Sequence, residues 1–263
     1  MTINPITFSD IQTSDLLYYD ADIAEDCFKF CLARNIDCLP MLNNPRKYYR
    51  RAQTSFTNEI ITSKMCVEAN DFIFNDGMLT KFKNNHLLFV FNGQVLTGVV
   101  HFSDYNKPEV GIYLFTLLDS YERSLRKLLA QSGYTNEDML NYFIYKINRE
   151  RKESRTKTEF ENKKSDYERN KSKYDLLPPF EMFYLTDLIY FTNHMKLSKV
   201  HDGVKELRNA IMHAHTYVGK EDVNRNDYIY DFQSFKEFFS QVVILHQDYK
   251  KVNNRLAFLS NSH

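Results

Sequence analysis

From Leu114 onward the apolar residues of this chain recur at intervals of three and four, a spacing that fits helices and cannot line one face of a sheet. Leu114, Leu117 or Leu118, Tyr121, Leu125 and Leu128 make one such stripe, with Glu122 and Arg126 beside it as an i,i+4 ion pair. Phe232, Phe235, Phe239, Val242, His246 and Tyr249 make another within "DFQSFKEFFSQVVILHQDYKKVNNRLAFL" (231 to 259), and His246 is expected as a packed core or interface histidine. Thr135 with Asp138 three residues on reads as an N-cap, opening a helix that buries Leu140, Phe143, Ile144 and Ile147. After Pro178-Pro179, "FEMFYLTDLIYFTNHM" (180 to 195) reads as a further helix. A bundle of four or five helices is expected.

The first hundred residues follow a different rhythm. "DLLYYD" (15 to 20) reads as a strand, "DIAEDCFKFCLARN" (22 to 35) as a helix and "CLPML" (38 to 42) as a second strand. The order then returns with "MCVEA" (65 to 69), a helix around 75 to 85, and "LLFVFNGQVLTGVVHFSD" (87 to 104) as a hairpin turning at Asn92-Gly93. Two units of strand, helix and paired strands suggest an internal duplication. With 43% hydrophobic residues the chain can bury a real core, and only 7 Gly and 6 Pro argue against a turn-rich all-β fold. The expected class is α+β: an α/β module over 1–110, then an all-α bundle over 111–263.

Lys and Arg total 34 and Asp and Glu total 34, so no global field advertises nucleic acid and any such binding must rest on local charge. Between Asn148 and Lys173 only Phe160 and Tyr167 interrupt a charge-dense, basic-leaning segment. It reads as a solvated helical extension or mobile loop, or else as a contact to an RNA backbone. "MTINPITFSD" lacks the pattern of a signal peptide and no apolar run is long enough to span a membrane, so a cytoplasmic protein is expected. Cys27, Cys31, Cys38 and Cys66 form no C-x-x-C pair and are expected as reduced thiols.

The N-terminal units resemble CBS domains, nucleotide-sensing modules that work in pairs. "NIDCLPML" is similar to that family's strand after its first helix, and "GVVHFSDYNKP" to its closing G-x-V-[ST]-x-x-D pattern. The resemblance covers about residues 1 to 110. It implies an adenine nucleotide as effector, with Asp104 at the ribose hydroxyl. His101 stands where the family has a hydroxyl residue, and "RKYYRRAQTSFTNEII" in the first unit carries no such motif.

Within "ELRNAIMHAHTYVG" (206 to 219), the residues Arg208, Asn209 and His213 fit R-N-x-x-x-H. This region resembles a HEPN domain, a helical bundle of nucleases whose signature is R-x(4 to 6)-H with a polar residue after the arginine. The resemblance implies a metal-independent endoribonuclease: the RNA 2′-hydroxyl attacks its own 3′-phosphate, leaving a 2′,3′-cyclic phosphate and a 5′-hydroxyl. The residue types suit that chemistry, since histidine moves protons near neutral pH and arginine offers a fixed planar cation to the phosphorane. No cofactor is needed for it. By helical geometry Arg208 and His213 lie about 140° apart, with Asn209 one turn before His213, and His215 near Arg208 as an auxiliary.

In the family, two such helices meet across a homodimer and form one cleft, so a homodimer acting on RNA is expected, as a toxin or defence effector held by its N-terminal half, by an antitoxin or by another regulatory protein. The alternative is a non-catalytic regulatory protein with a nucleotide-sensing CBS-like half and a helical half that dimerises or docks a partner. In a purely structural role, Arg208 would pair with Glu206 or a neighbouring helix, and His213 would be an ordinary helix residue.

Overall fold

The computed structural model describes residues 3–150, 154–201, 203–215 and 229–261; of residues 210 and 212–215 only the backbone belongs to that set. The chain is mixed α+β, with both sheets in its N-terminal half and helices beyond. It forms two compact units: Thr2–Leu114 with Ala214–Phe239, and Phe115–His213 with Ser240–His263.

The first unit opens with the short helix α1 (Phe8–Ile11) and α2 (Ala24–Ala33), followed by β1 (Cys38–Met41), β2 (Asn44–Arg51) and β3 (Phe56–Ile60). These three strands form an antiparallel meander with Leu39 opposite Tyr49 and Tyr49 opposite Asn58. β4 (Cys66–Glu68), α3 (Met78–Asn84), β5 (Leu87–Asn92) and β6 (Val95–His101) build the second sheet, where β4 runs parallel to β5 and β5 antiparallel to β6. The hairpin turns at Gly93-Gln94, one residue later than the sequence suggested. Asn92 pairs with Val95, and the positive φ that the turn requires falls on Gly93, at +63°.

The strand expected at 15 to 20 does not form. One backbone bond, Tyr19 N–H to the Pro40 carbonyl at 3.3 Å, ties this segment to β1, and its side chains anchor it instead: Tyr19 stacks on Tyr49 at 3.9 Å while Leu17 stays half exposed. An apolar run that does not alternate has no face to commit to a ladder. The expected duplication is also not repeated in topology, because only the second sheet uses a parallel crossover. β2 escaped notice since just one of its eight side chains, Tyr48, is fully buried. Gly98 is required by close approach: a Cβ there would meet the Gln12 side-chain oxygen at 2.5 Å and the Thr13 carbonyl at 2.9 Å, where Thr13 bonds to Val99 along β6.

Aromatic rings fill this unit. Phe82 and Tyr105 pack on Phe235 at 5.2 and 5.0 Å between ring centres, both in the edge-on geometry that ring quadrupoles favour. The Tyr105 hydroxyl donates to the Ile73 carbonyl at 2.6 Å, which satisfies its one polar atom. Asn106 clasps the backbone of Ile229 in both directions, at 2.7 and 3.1 Å.

Helices follow: α4 (Pro108–Gln131), α5 (Asn136–Arg149), α6 (Arg155–Arg169), α7 (Lys171–Tyr174), α8 (Leu185–His194), α9 (Val204–His215) and α10 (Phe232–Ser260). In the second unit the α4 stripe Leu117, Tyr121, Leu125 and Leu128 is buried, each apolar side chain contributing about 1.5–3 kcal/mol by leaving water. Thr135 and Asp138 close a capping box at the start of α5, the Thr135 N–H donating to Asp138 at 2.8 Å. α8 begins at Leu185, later than the pattern from 180 suggests. The preceding backbone is satisfied by side chains, with Asn136 accepting from the Phe180 N–H at 2.8 Å and Arg126 donating to the Phe180 and Phe183 carbonyls at 3.1 and 3.3 Å. A segment whose polar groups are met from outside has no need to wind.

Candidate functional site

α9 starts because the Gly203 carbonyl accepts from the Glu206 N–H at 3.2 Å, and it stays in place because Val204, Leu207 and Ile211 are each about 99% buried on one side. Arg208 and Asn209 fall off that stripe and are half-buried. Among the described residues no carboxylate pairs with the Arg208 guanidinium, Glu206 included, so the ion pair that a structural role would call for is not made. The backbones of His213 and His215 belong to α9, but their side chains lie outside the described residues.

Sequence reading missed a second group in this unit. Asp248, on α10, is fully buried and accepts three contacts: from the His201 backbone N–H at 2.7 Å, from His201 Nδ1 at 2.9 Å, and from Lys251 Nζ at 3.0 Å. The His201 side chain remains 45% exposed and Lys251 46% exposed. The signal was available, because Asp248 stands between Leu245 and Val252 on an otherwise apolar helical stripe. A carboxylate at such a position must be met by donors or destabilise the fold. Tyr121 of α4 places a buried hydroxyl without a hydrogen-bond partner among the described residues, and burial together with the Asp248 charge pushes its ionisation far up.

The basic-leaning segment is a paired helix. Phe160 and Tyr167, seven residues apart, are both buried, Phe160 against Phe143 at 5.7 Å and Tyr167 against Tyr174 at 4.8 Å. Several of its lysines find acidic partners: Lys163 with Glu159 at 2.9 Å, Lys164 with Glu168 at 3.5 Å and Lys171 with Glu137 at 3.6 Å. Lys163 also meets Asp187, a buried carboxyl at the start of α8 whose pKa burial pushes up.

In the first unit, the two nucleotide-site candidates are adjacent but differently placed. Both oxygens of Asp104 are in use, one accepting from the His101 N–H at 2.7 Å and the other pairing with Lys107 at 3.1 Å. His101 accepts from the Ser103 N–H at 3.2 Å, and burial holds its pKa below the usual imidazole value. His101 lines an open cleft of about 710 Å³ with Asp37, Arg50 and His86 on its polar side and Leu39 and Phe89 beneath; Asp104 does not line it. That volume suits a small organic ligand.

The four cysteines are free thiols; Cys31 is buried and burial pushes Cys38 up to about 12, far from the reactive thiolate range. Among the described residues no three His, Cys, Asp or Glu side chains converge in a way that could hold a metal ion, and no helix is long and apolar enough to cross a membrane. Comparison with known proteins returns no match to a family model, a curated protein or a solved structure.

Proposed function

We propose that this chain is a metal-independent endoribonuclease of the HEPN type, with Arg208, Asn209 and His213 as its site and an N-terminal module that controls it. The observation that carries this reading is the half-buried guanidinium of Arg208, which pairs with no carboxylate among the described residues, on a helix with another side committed to the core. A cation left without a carboxylate in a partly desolvated position has its charge available for an anion. On RNA that anion is the scissile phosphodiester. Arg208 holds the non-bridging oxygens as negative charge builds on phosphorus, Asn209 donates a neutral hydrogen bond beside it, and His213 passes a proton between the solvent and the leaving 5′-oxygen.

One R-N-x-x-x-H helix supplies a single arginine and a single motif histidine, which is a thin site for a reaction with two proton transfers. The reading therefore includes a homodimer in which two α9 helices share a cleft. Light scattering at micromolar concentration is expected to give twice the 31.3 kDa chain mass; full activity from a species of monomer mass would remove the dimer from the account. In the N-terminal unit the cleft beside His101, not the occupied carboxylate of Asp104, is where an adenine nucleotide would bind as effector. The direct assay is incubation of the purified protein with labelled single-stranded RNA in EDTA. Cutting is expected, and RNA left intact with and without nucleotide would end the enzymatic reading.

A further inference from the structure

We infer that His201 is a second proton-transfer group of the same RNA-cleaving site, with Asp248 as its positioning residue. This rests on the endoribonuclease reading above. A carboxylate can only accept hydrogen bonds, so the 2.9 Å contact to Asp248 requires a hydrogen on His201 Nδ1. In the neutral ring the lone pair then sits on Nε2. That is the tautomer a general base needs, and it is fixed by a carboxylate from which water is excluded. The same carboxylate also holds the His201 backbone N–H at 2.7 Å, so ring and loop are anchored together and the imidazole cannot drift without breaking both bonds. Lys251 of α10 offsets the buried charge at 3.0 Å, and Tyr121 of α4 is a further titratable group close to Asp248. The His201 side chain is nevertheless 45% exposed, which leaves it open to a substrate from solvent.

Position links His201 to the motif. α9 begins three residues after it, so the end of that helix which favours a phosphate follows His201 directly in the chain. Seven residue steps, the last four of them within α9, separate His201 from Arg208, which limits their Cα atoms to at most about 17 Å apart. A long arginine side chain and an imidazole over that span can meet on one phosphodiester.

In the step assigned to it, His201 Nε2 takes the proton from the RNA 2′-hydroxyl. The 2′-oxygen forms a bond to phosphorus, the bond from phosphorus to the 5′-oxygen breaks, and the leaving oxygen takes a proton from solvent water by way of His213. The imidazolium returns its proton to the resulting hydroxide, so nothing is oxidised or reduced.

His201→Asn tests this, because the asparagine amide can still donate to Asp248 while no titrating nitrogen remains. Cleavage by the full chain is expected to fall at least about 100-fold. Binding of the same RNA carrying a 2′-deoxy nucleotide at the cut site, read by fluorescence anisotropy, should stay within about twofold. Asp248→Asn is expected to move the acidic limb of the pH–rate profile, which a merely structural clasp would leave in place. On the unaltered protein, carbethoxylation mapped to His201 should track loss of activity, a readout that stands even if a variant fails to fold. Wild-type rate and pH profile in folded His201→Asn, or full activity with His201 modified, would overturn the inference. If Arg208→Ala is inactive in that case, the endoribonuclease reading survives; if the wild-type chain cuts no RNA, both fall.

Discussion

Arg208→Ala is expected to lower RNA cleavage in EDTA by at least about 100-fold, the loss typical when a preorganised group that stabilises transition-state charge is removed. Its stability should change little, within about 1 kcal/mol, because the side chain lies off the Val204, Leu207 and Ile211 stripe and, among the described residues, holds no ion pair that its removal would strand. Arg208→Lys separates charge from geometry. A lysine keeps the cation but loses the planar fork that grips two phosphate oxygens, so an intermediate rate is expected. Single-turnover cleavage with thermal unfolding of each variant reads both quantities. A folded Arg208→Ala that cuts at the wild-type rate would show the site to be elsewhere.

Acid should destabilise the helical unit, and His246 is the largest identified contributor. Burial lowers its pKa to about 4, against about 6.5 for the unfolded chain. The unfolded chain therefore binds a proton that the folded one refuses. The stability due to neutral His246 is fully present above about pH 6.5 and is lost as the pH falls toward 4. The loss amounts to about 3 kcal/mol between pH 7 and pH 4. His194 is shifted the same way by burial and acts in the same direction. His246→Leu, which fills a similar volume, should remove most of the difference. Urea midpoints at pH 7 and pH 4.5 for the two proteins measure it, and parallel losses would clear His246 of the role.

Helical periodicity carried the second half of the chain well, since a stripe such as Leu117 to Leu128 repeats one geometric rule over many turns and the Thr135 cap follows from local hydrogen bonding alone. The first sheet was poorly legible because β2 and β3 bury little, with Tyr48 the one fully buried side chain on β2 and none on β3. Segment 180–184 fails the helical rule for a similar reason, as Arg126 and Asn136 satisfy its backbone from other helices. At the candidate site the sequence supplied Arg208 and Asn209 by spacing. It did not supply His201 with Asp248, a pair separated by 47 residues that only the packed structure brings to 2.9 Å. A charged residue in an apolar stripe marks such places, and Asp248 was one.

The chemistry of the cut ends tests the central claim most directly. Wild-type protein is incubated with a defined single-stranded RNA in EDTA, and the fragments are weighed by mass spectrometry. Attack by the 2′-hydroxyl under the control of Arg208 and a histidine predicts a 2′,3′-cyclic phosphate on the upstream fragment and a 5′-hydroxyl on the downstream one. A 3′-hydroxyl with a 5′-phosphate, cutting that disappears on chelation, or RNA recovered whole would contradict the account.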